Sequence, residues 1–310
     1  MKKTVTIVSG TFNEEANVRT LHEEVRKVME SIEDVEYEHL IIDNASTDNT
    51  AAILREIAAS DRRVKVILNT RNFGGIRSGY HVLLQARGDA VIPIVADLQD
   101  PPSMIPTFLE RWREGFKMVI AVKTKSRENP IVFRLRKAYY KFLSRISDVP
   151  LIENFSGFGL YDQEVIENLR RLNDPYPYVR GLIADIGFPA ARVEYLQQAR
   201  KRGRSKSNFF TLYDNAMLGL TSYSKLPLRL AAFMGFISGG LSLLVGLFYL
   251  VYKLLYWNNF SVGSAPVVVG LFFVGSVQMI FLGVLGEYIG AIYTQVLKRP
   301  LVIEKERINF

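Results

Sequence analysis

Runs of β-branched and aliphatic residues alternate with longer segments of helical period from Thr4 to about Val122. That alternation predicts a parallel sheet covered by helices on both faces. Five strands are expected, at Val5–Val8, His39–Ile42, Val64–Leu68, Ala90–Val95 and Met118–Val122. Helices are expected between them, near Ala16–Ser31, Asp48–Ala59, Gly75–Ala86 and Ser103–Arg113. Residues 123–147 read as a basic loop and helix, 155–161 as a short strand, and 178–186 as a helix that closes the head.

The rest of the chain carries a different pattern. Asn208–Ser224 interleaves Phe209, Phe210, Leu212, Tyr213, Met217, Leu218 and Leu220 with polar residues, which predicts a helix lying in a membrane interface before Pro227. Between Ala231 and Leu297 the only formally charged side chains are Lys253 and Glu287. The two uncharged stretches this leaves, Leu230–Tyr252 and Phe260–Gly286, each exceed the roughly 20 residues that cross a hydrocarbon core. A buried hairpin in a large soluble core is the alternative, and the continuous lack of charge argues against it. Glu287 is expected to face the partner span, an interface or the headgroup boundary.

The expected organisation is therefore a head over 1–206, an interfacial amphipathic helix over 207–227, two transmembrane helices within 228–297 (about 230–252 and 262–290) and a cytosolic tail over 298–310. Trp257–Ala265 contains no lysine or arginine, whereas Lys225 and Arg229 precede the first span and Lys298 and Arg299 follow the second. That distribution predicts cytosolic N- and C-termini. Met1-Lys2-Lys3 followed by Thr4–Ser9 is too short in its apolar part for a signal peptide, so the head is expected to stay in the cytosol.

Composition narrows the class further. With 48% hydrophobic and 23% charged residues in 310, disorder is excluded as the main state. The net charge of +8 is concentrated in Lys123–Arg145 and Arg200–Lys206, ahead of the apolar stretches, which favours phosphates and lipid headgroups over nucleic acid. The absence of cysteine excludes a disulfide framework, a thiolate metal site and a cysteine nucleophile.

Each polar motif follows a predicted strand, where open α/β sheets bind ligands. Gly10–Glu15 follows the first and Asp43–Thr50 the second. Ser46 or Thr47 is expected to cap the next helix, with Asp48 favouring its positive end. Asp43 ends its strand before any cap is needed, so its carboxylate could accept a base or ribose donor. In Arg71-Asn72-Phe73-Gly74-Gly75 the glycines suit either close approach to a ligand or a tight turn. Asp97-Leu98-Gln99-Asp100-Pro101-Pro102 gathers hard oxygen ligands suited to Mg²⁺ or Mn²⁺ on a diphosphate, with a structural Asp-Pro-Pro turn as the alternative.

Taken in this order, with Arg180-Gly181-Leu182, Arg202-Gly203-Arg204-Ser205-Lys206, Gly286-Glu287-Tyr288-Ile289-Gly290 and Lys298-Arg299-Pro300, the motifs resemble those of family 2 glycosyltransferases, in their polyprenyl-phosphate branch. The resemblance spans almost the whole chain and implies an α/β, GT-A (Rossmann-like) cytosolic head with interfacial helices and two C-terminal transmembrane helices. It implies transfer of one sugar from a nucleotide sugar, UDP-linked, to polyprenyl phosphate by metal-assisted displacement at the anomeric carbon. Phe12, Glu14 and Asp43, with Thr11, Asn72, Gly75 and Asp97, would hold the nucleotide. Asp97 and Gln99 would ligate Mg²⁺ or Mn²⁺, and Asp97 and Asp100 would be the catalytic carboxylates. Lys123, Arg127, Arg134, Arg136, Arg202, Ser205 and Lys206 would face the lipid phosphate. The implied setting is a bilayer, the bacterial inner (plasma) membrane, with no nucleic-acid partner and with assembly into a homo-oligomer left open.

Four features depart from the family pattern. Gly10 stands for the usual proline, Asn44 for the second aspartate of an Asp-Asp-Gly-Ser loop, and Val95 for the first aspartate of Asp-X-Asp. Ser156–Asp162 lacks the acid and arginine that relatives place around its phenylalanine. Two rival readings follow. A processive polysaccharide synthase would carry a Gln-X-X-Arg-Trp motif, and Arg111-Trp112 lies too early to serve. A membrane-anchored nucleotide-sugar binder without turnover is the other, motivated by Val95.

Overall fold

A computed structural model describes residues 2–125, 143–152, 155–198, 209–256 and 264–310. The head comprises β1 (Lys3–Thr11), α1 (Val18–Glu30), β2 (Val35–Asp43), α2 (Thr50–Ser60), β3 (Val64–Asn69), α3 (Gly75–Gln85), β4 (Ala90–Pro93), α4 (Ile105–Arg113) and β5 (Met118–Lys125). It continues through β6 (Phe155–Asp162), α5 (Gln163–Leu172), α6 (Val179–Ile186) and β7 (Ala190–Leu196). Then come α7 (Phe209–Tyr223), α8 (Leu226–Leu255), α9 (Ser264–Leu297) and β8 (Glu304–Ile308).

The sheet is mixed where the pattern predicts a parallel one. Its order is β7-β5-β6-β4-β1-β2-β3-β8. β4, β1, β2 and β3 run parallel, as do β5 and β7, while β6 is antiparallel to β4 and β5 and β8 antiparallel to β3. The parallel half puts the carboxyl ends of four strands along one edge, with the order reversing beside β1, and that creates the crevice. β4 stops at Pro93, short of the expected Val95, because proline has no N–H for the ladder. Ile94 N still donates to Val8 O at 2.9 Å, so the chain stays against β1 as it enters the Asp97 loop.

Helical periodicity accounts for the layers. In α1 the buried positions Val18, Leu21, His22, Val25 and Met29 form one stripe, and in α4 Ile105, Phe108, Leu109 and Trp112 do the same. Both stripes face the sheet. α4, Val5, Ile7, Ile92 and Phe158 share one core cluster, α3, α5 and α6 build a second with Val8, Leu40 and Ile120, and α2 packs a third on Ile41, Val64 and Val66.

The last residues are not a free tail. β8 covers the outer edge of β3, with Thr70 N donating to Ile303 O at 3.0 Å, Arg55 paired with Glu306 at 2.6 Å and Asn309 Nδ2 donating to Val64 O at 2.8 Å. A charged strand suits this exposed edge, since it closes the ladder while discouraging further pairing. Its sequence, Glu304-Lys305-Glu306-Arg307-Ile308, hides it from a search for apolar alternation.

α8 and α9 are long enough and apolar enough to cross a bilayer: Leu226–Leu255 has mean hydropathy 2.0 and Gly270–Leu297 has 1.6. Their apolar windows are wholly unburied, with side chains such as Phe236, Leu243, Leu271 and Phe272 exposed, unlike a hairpin in a soluble core. α7 links them to the head. Its Tyr223 ring lies against Gly181, where an added Cβ would stand 2.2 Å from the ring, and Tyr288 on α9 donates to Ser224 O at 2.6 Å. Glu287 meets Tyr213, whose hydroxyl donates to it at 2.7 Å.

Candidate active site

The loops after β1 and β2 are zipped together. Asn13, with φ of 54°, donates its backbone N–H to Ser46 Oγ at 2.8 Å, and its Oδ1 accepts from Thr47 N at 2.7 Å. Glu14 N donates to Thr50 Oγ1 at 2.9 Å, and Asn49 N donates to Glu15 Oε2 at 3.0 Å. Ser46 and Thr47 therefore tie loop to loop instead of capping α2, and Asp48 accepts the Thr50 amide at 3.0 Å in their place. Burial opposes ionisation of Asp48, but the bonds from Thr50 and the nearby backbone outweigh it and hold its carboxyl below the ordinary range.

Asp43 is buried at the end of β2, where one carboxylate oxygen accepts the Ser46 amide at 2.9 Å and the other accepts Ser46 and Thr11 hydroxyls. The Thr11 side chain is spent in that contact and on Ile42 O at 3.1 Å, so any ligand would meet Thr11 through its backbone. Phe12 and Glu14 are half-buried beside these loops.

Asn44 joins the second loop to the third. Its Oδ1 accepts from Phe73 N at 2.9 Å and Asn69 Nδ2 at 3.1 Å, while its Nδ2 donates to Asn72 Oδ1 at 2.8 Å. Asn72 Oδ1 also accepts Gly74 N at 2.8 Å, which fixes it as an acceptor. An amide at 44 satisfies all three partners, and the family's aspartate would have no proton for Asn72. Asn72 and Gly75 stand exposed at this rim, and Gly74 adopts φ of 86° with no atom near its missing Cβ.

Beyond β4 lies the oxygen-rich turn. Asp97 Oδ1 accepts the Gln99 amide at 3.1 Å, and Asp100 Oδ1 accepts the Tyr195 hydroxyl at 2.6 Å. Both carboxylates are buried, whereas Val95 is 45% exposed. Burial pushes the Asp100 carboxyl up and the Asp97 charge adds to that, while the Tyr195 bond and the Lys123 and Arg180 cations oppose it. Lys123, predicted for the lipid phosphate, thus sits in the field of Asp100. It pairs with Tyr195 in the β5–β7 register.

Tyr195 and Arg180 were not among the predicted site residues. Arg180 belongs to a recognised motif, but Tyr195 lies on β7, a strand the pattern does not announce. Its ring packs on Phe158 at 5.4 Å, and Phe158 on Phe108 at 5.0 Å, so the divergent Ser156–Asp162 segment supports the tyrosine. Arg127, Arg134, Arg136, Arg202, Ser205 and Lys206 lie outside the described residues.

Asp97 and Gln99 offer one carboxylate and one amide oxygen at the crevice. Among the described residues no group of three or more acidic or histidine side chains forms an all-protein cage. Two hard oxygen donors fit a small divalent cation that keeps several waters and shares a substrate's phosphates.

The family model of Glycosyl transferase family 2 matches residues 6–170, the segment that holds all four strand-end loops. The chain belongs to this family. An uncharacterized glycosyltransferase of Bacillus subtilis is 36% identical over 96% of this chain and 92% of its own length. The SfII prophage-derived bactoprenol glucosyl transferase of Shigella flexneri is 35% identical over 97% of both chains, and a prophage bactoprenol glucosyl transferase homolog of Escherichia coli is 33% identical over 97% of this chain and 98% of its own. The chain is a glycosyltransferase with the GT-A, Rossmann-like head and two C-terminal apolar helices expected from its motifs.

Proposed function

We propose that this glycosyltransferase moves one sugar from a UDP-linked donor onto polyprenyl phosphate at the cytosolic face of a bacterial inner membrane. The observation that carries the reading is the Asp97–Gln99–Asp100 turn, set at the strand-end crevice of a head fastened to two apolar helices. Relatives named bactoprenol glucosyl transferases support a lipid acceptor. In this reading Phe12, Glu14, Asp43, Asn72 and Gly75 line the nucleotide side, and Asp97 with Gln99 would hold Mg²⁺ or Mn²⁺. The metal, when bound, neutralises charge on the departing diphosphate.

The acceptor needs little activation, because a phosphate monoester with a second pKa of about 6 is already anionic near neutrality. The chain's own task is alignment and charge stabilisation. Lys123 and Arg180 supply positive charge beside Asp100, and Tyr195 fixes that carboxylate. Arg127, Arg134, Arg136, Arg202, Ser205 and Lys206 complete the lipid-phosphate side. α8 and α9 cross the bilayer, with both termini cytosolic and residues 257–265 on the opposite side.

The test is purified full-length protein with polyprenyl phosphate and a panel of nucleotide sugars, with the lipid products read by mass spectrometry. One hexose added to the phosphate is the expected product. Polymers would favour a processive synthase, and nucleotide binding without product would favour a scaffold.

A further inference from the structure

Arg71, Arg77 and Arg299 converge, with Lys298 next to Arg299 in sequence, where α9 leaves the bilayer in the reading above, on which this inference rests. Lys298 and Arg299 follow the last residue of α9, and both are exposed. The β3–β8 pairing brings that exit onto the head: Arg77 on α3 donates to Pro300 O, and Thr70 N to Ile303 O at 3.0 Å. The Arg71 guanidinium lies 3.9 Å over the Phe73 ring, with that of Arg77 5.5 Å from the same ring. Phe73 thus holds both head arginines beside the strap that carries Arg299.

Among the described residues no carboxylate neutralises the cluster. Among the described residues, none of Arg71, Arg77, Lys298 and Arg299 forms an ion pair with a carboxylate. Asp174 Oδ1, on the adjoining segment, accepts instead from Gln295 Nε2 at 2.9 Å and from the Tyr176 amide at 2.9 Å. Burial depresses the Arg77 guanidinium, and the Arg71 and Arg299 charges depress it further, as expected for like charges facing each other. α3 begins beside them with no side-chain cap, adding the positive end of a helix.

We propose that Arg71, Arg77, Lys298 and Arg299 form a binding site for the phosphate of an anionic bilayer phospholipid, separate from the acceptor-phosphate side near Lys123. A lipid headgroup is favoured over a soluble anion because two of the four cations sit directly at the end of a membrane-length apolar helix. The bound headgroup would pin the strap, and through Phe73 and Asn44 the Asn72 loop, against the membrane surface.

Native mass spectrometry of the full-length protein in detergent, offered equal phosphatidylglycerol and phosphatidylcholine, tests the site. The wild type should retain phosphatidylglycerol selectively, and the exposed pair K298Q/R299Q should lower that selectivity roughly tenfold. R71Q should lower it as well, while R111Q, on the far helix α4, should not. Equal retention of both lipids, or unchanged selectivity in the variants, overturns the proposal. Displacement of the lipid by millimolar inorganic phosphate overturns it as a free-anion site, and displacement by UDP as part of the nucleotide site. Alkaline extraction of membranes separates this from the wider reading: wild type lost from the membrane refutes the anchored transferase, whereas an anchored protein without lipid selectivity refutes only the headgroup site.

Discussion

Tyr195 donates its hydroxyl to Asp100 across 95 residues of sequence, and this 2.6 Å bond joins the last long strand of the head to the turn after β4. The bond favours the ionised carboxylate against the burial that raises it. If turnover requires ionised Asp100, activity falls as pH drops through its pKa, and Tyr195→Phe moves that acid limb to higher pH. Turnover at neutral pH should fall about tenfold, the worth of a hydrogen bond to a charged group. The pH profile of kcat/KM checks this; an unshifted limb would show that Tyr195 only packs.

Val95 occupies the third corner of the oxygen turn with 45% of its surface exposed, so a carboxylate there would cost little packing. Val95→Asp should tighten Mn²⁺ binding about tenfold by adding an anionic ligand. Asp97→Asn should weaken binding and lower turnover on the order of 100-fold with the fold retained. Calorimetric Mn²⁺ titration reads both variants without a turnover assay. Equal affinity in Val95→Asp and wild type would place the cation elsewhere.

The strand-end loops were legible because each follows a β-branched run, and a buried parallel strand must be apolar on both faces. Ser46 and Thr47 read as local caps because the partner that claims them, Asn13, lies more than 30 residues away, whereas Asp48 does meet the first helical amide, that of Thr50. Tyr195 escaped for a related reason. In Ala190-Ala191-Arg192-Val193-Glu194-Tyr195-Leu196, charged residues interrupt the run, and only the β5–β7 register reveals what the tyrosine meets. β8 is charged because it is an edge, so its pairing too is a property of the assembled sheet.

Asn44→Asp should weaken the site although it restores the family residue. The substitution sets a carboxylate oxygen against Asn72 Oδ1, which is already committed to Gly74 N. A loss of about 1–3 kcal/mol in stability is expected, with weaker UDP binding. Denaturant midpoints and UDP titration measure the two effects. A variant as stable as wild type, with unchanged UDP affinity, would mean that Asn72 simply turns over.

His39 is wholly buried against Ser9, and burial depresses its pKa to about 3 from the ordinary 6.5, with His22 adding to the effect. The unfolded chain then binds a proton that the folded head refuses. Stability from this residue is complete above about pH 6.5 and is lost as pH falls toward 3. His39→Leu should flatten the dependence of the thermal midpoint on pH between 7 and 5, even if the midpoint at pH 7 drops. An identical slope in both proteins would assign the acid sensitivity to other groups.

Gly181 allows the head to receive α7. An added Cβ would stand 2.2 Å from Tyr223 Cε2 and 2.4 Å from its Cζ, so the ring or α7 must move. Tyr223 also accepts Asp148 N through its carbonyl at 2.9 Å and precedes Ser224, whose carbonyl takes the Tyr288 hydroxyl. Displacing α7 would therefore disturb the tie to α9. Gly181→Ala should cost about 1–3 kcal/mol as an overpacked contact. Tyr223→Ala should also destabilise, by leaving the groove empty, but the double variant should lose less than the sum because the clash disappears with the ring. Thermal midpoints of the four proteins in one detergent give the coupling directly. Strictly additive losses would show that Gly181 is needed for its backbone and not for the space it leaves to Tyr223.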